Sequence, residues 1–228
     1  MPLRFGLFLP PFAELAEPSR VVELARSAEK SGWDGFFLWD HIMALPGMAV
    51  ADPWVTIAAI GVGLGDDGVG EFRSFGGEPT DPGQRGLILD ESLELLRRFW
   101  SGEDVHWEGR HFSVECAPFL PRPAQDPLPV WVACRWPHRR PLARAARHQG
   151  CFPLLDHGGW EIPAFPDPAA VSAVRSQLIG HGAPADIDIV CRGAFAAVGA
   201  DERAEGLAAL ETAGLTWWLE SFGPVEPS

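Results

Sequence analysis

The feature that most constrains this chain is an alternation. Short, largely apolar runs are followed by stretches whose apolar residues recur every three or four positions. Residues 3–9 form a compact apolar run that stops at Pro10-Pro11, as a buried strand ended by proline does. Val21, Val22, Leu24, Ala25 and Ala28 then trace one face of a helix, with Ser19 at its start and Gly32 at its end. Residues 36–39 are again a buried run. Strand, helix, strand in this order predicts parallel strands joined by helical crossovers, an α/β architecture.

The helix starts carry their own chemistry. Asp52-Pro53, Asp81-Pro82 and Asp167-Pro168 each offer a capping carboxylate followed by proline at the first helical position. The second pair opens a helix with Ile88, Leu89, Leu93, Leu96, Phe99 and Trp100 at helical spacing. Arg97 and Arg98 stand in its last turn, where the macrodipole favours cations. Residues 105–114 read as a hairpin turning at Glu108-Gly109. Helices over 139–148, 171–179 and from Asp201 to Ala213 alternate with strands over 130–134, 150–155, 187–198 and 215–219. Together with 3–9 and 36–39 these strands number six, with one further candidate at 61–65, whereas a closed TIM barrel has eight in typically ~250 residues. The count describes a barrel short of parts.

Composition narrows the function classes. The net charge of −13 repels polyanions, so no nucleic-acid partner is expected. No apolar run approaches the ~18 residues that span a bilayer, so no membrane partner is expected either. Met1-Pro2-Leu3-Arg4-Phe5 lacks a signal-peptide pattern, which points to the cytoplasm. Cys116, Cys134, Cys151 and Cys191 are far apart, with no C-x-x-C, and read as reduced, mostly buried thiols. No metal-ligand spacing such as H-x-H appears, and none of the scattered histidines suggests a metal site.

Several segments, in order, carry a resemblance. They are Arg4-Phe5-Gly6-Leu7-Phe8-Leu9-Pro10, Gly32-Trp33-Asp34-Gly35-Phe36-Phe37-Leu38-Trp39-Asp40-His41, Asp52-Pro53-Trp54 and Gly61-Val62-Gly63-Leu64-Gly65. Phe119-Leu120-Pro121-Arg122-Pro123, Pro129-Val130-Trp131-Val132-Ala133 and Gly214-Leu215-Thr216-Trp217-Trp218-Leu219-Glu220 continue it. The chain thereby resembles the luciferase-like monooxygenases, TIM-barrel enzymes that use reduced flavin or a deazaflavin. The resemblance also implies a departure. Ala58-Ala59-Ile60 runs directly into the glycine motif that in the family ends the fourth strand. A β-α-β unit of on the order of 40 residues is missing near a junction at 60–61. The helix that in the family follows the eighth strand is expected to be absent too.

The candidate site follows from these segments. His41 follows a buried strand at its carboxyl end, where barrel active sites lie. The resemblance implies catalysis there, with an imidazole titrating near neutrality moving a proton for a flavin adduct; the alternative is a histidine bonded to backbone at the strand exit. Asp40 either orients His41 or caps the turn. Gly63 and Gly65 bring backbone close to a phosphate or ring, or bridge the deletion as a flexible turn. Arg135, Arg139 and Arg140, with Arg144 and Arg147, are the one basic cluster in an acidic chain and suit a cofactor phosphate, or else form a solvated face. Trp217 either stacks on a flavin or packs in the core.

The expectation is therefore one shortened, incomplete TIM-barrel-like α/β domain over residues 1–228. Its leading function is a luciferase-like oxidoreductase using FMN or a deazaflavin on a small organic substrate. The alternative is a degenerate relative that has lost the cofactor and serves as a binding or interaction protein. Strand edges opened by the deletion need cover, so a homodimer is expected, with its interface around residues 54–70 or near the last strand.

Overall fold

The structure is a computed structural model, and it describes residues 2–10, 13–16, 18–39, 79–118, 122, 127–155 and 162–222. The deletion junction at 60–61 and the first Asp-Pro pair lie outside the described residues. Two compact units are present, one of residues 1–62 with 131–228 and one of residues 63–130.

Among the described residues, the larger unit is built on six parallel strands. These are β1 (Arg4–Leu9) and β2 (Gly35–Leu38), then β5 (Trp131–Arg135), β6 (Gly150–Leu154), β7 (Asp188–Gly193) and β8 (Trp217–Ser221). The other two strands, β3 (Val105–Glu108) and β4 (Ser113–Cys116), belong to the smaller unit. The sheet order is β2-β1-β8-β7-β6-β5, so β1 and β8 lie side by side and, among the described residues, the ends of the sheet are β2 and β5. This is the strand order of an eight-stranded barrel read with its third and fourth members left out. All six strands read from the sequence are present, each within a few residues of its expected position. The exception is 187–198, which ends as a strand at Gly193 and turns into a short 3-10 helix at Phe195–Ala197.

The sheet curls. Six strands laid flat would put β2 and β5 about 24 Å apart, at roughly 4.8 Å per step. Yet the Phe37 ring of β2 stacks on the Trp131 ring of β5, with centroids 5.4 Å apart and planes at 26°. Phe8 of β1 likewise meets Phe152 of β6 at 5.6 Å, across two intervening strands. The inner face is thus lined by Phe8, Phe37, Trp131, Phe152 and Trp217 around Val190 and Leu219. Glycines make room for these rings. Gly6 and Gly35 are register partners, and a Cβ on either would stand 2.6 Å from the Phe37 ring. A Cβ on Gly150 would run into the Trp131 indole.

The outer face is aliphatic and sulfur-rich and is covered by helices. Leu9 and Leu38 pack on Val21 of α1 (Pro18–Lys30). Val132, Cys134, Cys151, Ile189, Cys191 and Trp218 are all almost completely buried. Each apolar side chain buried this fully contributes about 1.5–3 kcal/mol. α3 (Arg139–Ala145) packs on β5, and α4 (Pro168–Gly180) packs on α5 (Ala200–Ala213). Asp167 caps α4 as expected, accepting from Ala169 N at 2.9 Å. Asp201 does not cap α5: Gly199 holds that position, and Asp201 with Glu202 lies in the first turn, facing the positive end of the helix dipole. Gly214 ends α5 with φ +100, a conformation that suits glycine.

In the smaller unit α2 (Pro82–Trp100) begins at Asp81, whose carboxylate accepts from Gln84 N at 2.7 Å. The hairpin of β3 and β4 closes with Gly109 N bonded to Phe112 O at 2.8 Å. Glu91 of α2 fastens it, accepting from Trp107 Nε1 at 3.1 Å, His111 N at 2.9 Å and Phe112 N at 3.0 Å. Among the described residues no helix is long and apolar enough to cross a membrane.

Candidate functional site

The two ends of the parallel strands differ in chemistry. At the amino end, Arg4 bonds to Asp188 and its guanidinium lies 4.2 Å over the Trp217 ring. Thr216 Oγ1 donates to Asp188 at 3.0 Å, and Ile189 N donates to Thr216 Oγ1 at 2.9 Å. Trp217 opens β8 in this layer, 5.1 Å from Trp131 and 6.0 Å from Phe37. It therefore packs in the core at the end of the strands opposite the expected cofactor mouth. Its neighbour Trp218 faces the helices and stacks on Phe195 at 5.1 Å and 11°.

The carboxyl end gathers cations. Arg135 is the last residue of β5 and is half-buried. Arg139 and Arg140 follow in the first turn of α3, both exposed, while Arg144 further along is buried. α3 has seven residues, and His138 at its start makes no capping side-chain bond. The strand lifts Arg135 and the short helix carries the next two arginines just beyond it, so the sequence cluster becomes one cationic region past the end of β5.

A further cation at this end was hidden in the sequence. Arg192 of β7 alternates with Val190 onto the inner face and lies 5.6 Å over the Trp39 ring. Trp39 itself is buried after β2, with its backbone N–H bonded to Leu9 O at 3.0 Å and its ring 5.8 Å from Phe8. Arg192 sits within an apolar stretch that reads as one buried strand; the period-two alternation from Val190 is the signal that could have found it. The buried carboxylate of Glu220 was also missed. It accepts from Trp218 Nε1 at 3.0 Å, Ala196 N at 3.1 Å and Phe195 N at 3.3 Å. These bonds fix the segment after β7 against the end of β8.

The other expected site residues, Asp40, His41, Gly63 and Gly65, lie outside the described residues. Two thiols, those of Cys151 and Cys191, are unsuited to nucleophilic work. Cys134 Sγ and Cys151 Sγ lie 3.2 Å apart, and their hydrogen bond, together with burial, pushes the Cys151 thiol well up. Burial does the same to Cys191. Among the described residues no group of His, Cys, Asp and Glu is arranged to hold a metal.

A curled parallel sheet with helices outside and cations past its carboxyl ends defines a shortened α/β-barrel fold. The family model for luciferase-like monooxygenases matches residues 58–219, and the chain belongs to that family, one of flavin- and deazaflavin-linked oxidoreductases. The F420-dependent glucose-6-phosphate dehydrogenase of Nakamurella multipartita is 26% identical over 184 residues, covering 62% of this chain and 53% of that one. The protein of the same name from Gordonia bronchialis is 33% identical over 170 residues, covering 55% and 50%. The chain thus spans about half the length of the curated relatives it matches. Among solved structures, monooxygenase RslO1 of Streptomyces bottropensis shares the fold with a TM-score of 0.63 at 20% identity, covering 92% of this chain and 77% of that one. A riboflavin lyase solved with modified FMN and riboflavin shares it with a TM-score of 0.60 at 15% identity, covering 93% and 67%.

Proposed function

We propose that this chain is an oxidoreductase that binds a reduced deazaflavin or FMN at the carboxyl ends of its strands and acts on a small organic substrate. The observation that carries the reading is the cationic set past β5 in a chain of this family. Arg135, Arg139 and Arg140 present guanidinium donors suited to an anionic cofactor tail. The names of the curated relatives favour the deazaflavin over FMN. Bound there, either cofactor would supply hydride chemistry. In this reading His41 handles a proton, Asp40 orients it, and Gly63 and Gly65 allow close backbone approach.

One observation favours the second reading, a cofactor-free interaction protein. The inner face is already filled by rings that meet from opposite edges of the sheet, Phe37 on Trp131. Titration with the deazaflavin and with FMN, followed by fluorescence quenching, separates the two. Saturable binding of either supports the oxidoreductase; no binding at high micromolar concentration leaves the interaction protein. With cofactor bound, His41→Ala is expected to slow turnover at nearly unchanged affinity, and an unchanged rate would remove His41 from the reaction.

A homodimer in the cytoplasm completes the proposal. The proposed contact lies around residues 54–70 or near the last strand. A single mass by light scattering, that of the monomer, would contradict it.

A further inference from the structure

At the carboxyl ends of β7 and β8, three N–H donors converge on one carboxylate. Glu220 is 3% exposed. Its Oε2 accepts from Trp218 Nε1 at 3.0 Å and from Phe195 N at 3.3 Å, and its Oε1 accepts from Ala196 N at 3.1 Å. Both oxygens are used, and all the donors are uncharged. The neighbouring amides are committed elsewhere: Ala194 N donates to Pro163 O at 3.1 Å, and Val198 N to Phe195 O at 2.9 Å. Arg203 lies 4.9 Å over the Phe195 ring and donates to Val198 O at 3.0 Å. Gly193, the last residue of β7, leaves room for this arrangement, since a Cβ there would run into the Trp218 ring.

We propose that Glu220 is a built-in anion: its carboxylate takes the place of an external oxyanion between β7 and β8 and positions the segment 194–198 that leads into α5. Successive backbone N–H groups that point one way form an anion-binding concavity. TIM barrels frequently hold a phosphate with the loops after their seventh and eighth strands and a short extra helix. Here a short 3-10 helix, Phe195–Ala197, follows β7, and the anion is the chain's own side chain. Trp218 ties the two strands together. Its ring stacks on Phe195 at 5.1 Å and 11°, and its indole N–H donates to the carboxylate. Trp218 is fully buried, so without Glu220 that N–H would be a buried donor with no acceptor. One consequence rests on the cofactor reading: with this place filled from within, the anionic tail is left to the arginines past β5.

The test is chemical rescue of the cofactor-free protein. Glu220→Ala removes a methylene and a carboxylate, a group the size of acetate, and leaves the donors around the gap. Acetate is expected to raise the melting temperature of this variant saturably, at about millimolar concentration. It should also return the Phe195 and Ala196 amide signals and the Trp218 indole signal in NMR toward their wild-type positions. Acetamide has the same shape but sets its own N–H group against a donor, and is expected to act about tenfold more weakly or less. In the wild-type protein, acetate and inorganic phosphate should leave all these signals in place. That arm needs no variant and stands if Glu220→Ala fails to fold. A folded variant blind to acetate, acetamide as effective as acetate, or saturable movement of the wild-type Phe195 and Ala196 signals with phosphate would each overturn the proposal. None of these measurements uses a cofactor, so a protein that binds none would lose the oxidoreductase reading and leave this one to be decided by acetate.

Discussion

The amino and carboxyl ends of one set of strands hold the same kinds of residue and use them differently. At the amino end Arg4 is bonded to Asp188 and laid on Trp217, and Trp217 in turn packs on Trp131. There charge and ring satisfy each other within the protein. At the carboxyl end Arg139 and Arg140 project from a seven-residue helix into solvent. The same sheet therefore separates what holds the fold from what can meet a ligand, as in barrels generally.

The strongest way to break this comparison is Trp217→Ala. It removes a large buried ring and is expected to cost about 3–5 kcal/mol in denaturant unfolding. Cofactor affinity of the folded fraction should not change; loss of affinity at full stability would put Trp217 back in the site. Gly6→Val comes next. Its side chain would press on Phe37 and Leu219, an overpacking cost of about 1–3 kcal/mol read from the same unfolding curves.

The carboxyl end should answer in the opposite way. Arg139→Ala with Arg140→Ala is expected to shift stability by no more than about 0.5 kcal/mol while weakening FMN or deazaflavin binding several-fold. That loss should shrink as salt rises, because exposed charges are screened. A large stability loss with unchanged binding would reverse the assignment of the two ends.

The smallest effect expected is in the hairpin unit. Desolvation raises the Glu91 pKa, but the bonds from Trp107, Phe112 and His111 outweigh it and hold the carboxyl below its ordinary 4.5. A lowered folded value means the contribution is complete above the ordinary value and is lost as pH falls through the folded one. The indole N–H signal of Trp107 in an NMR pH titration should move below pH 4.5 and stay constant above it. Glu91→Gln should abolish that movement.

What the sequence made legible was local. Asp81-Pro82 and Asp167-Pro168 mark helix starts because the cap and its N–H partner lie within three residues. What stayed hidden was non-local. Reading 187–198 as one strand missed that the Glu220 carboxylate, 24 positions away, draws Ala196 N out of the strand. Trp217 was open to two roles until register placed it beside Arg4 at the amino end. Arg192 looked like part of a buried run because its partner surface, Trp39, comes from three strands across the sheet. The basic cluster could be read directly because its members lie within a few residues of one another along the chain.

The meeting of Phe37 with Trp131 has one more consequence. Neighbouring strands elsewhere in this sheet are laced by amide ladders, whereas these two rings join opposite margins by dispersion and shape. Parting such a seam would cost a ring contact and leave every ladder intact. Fast flipping of the Phe37 ring while the ladder amides stay protected would be its signature.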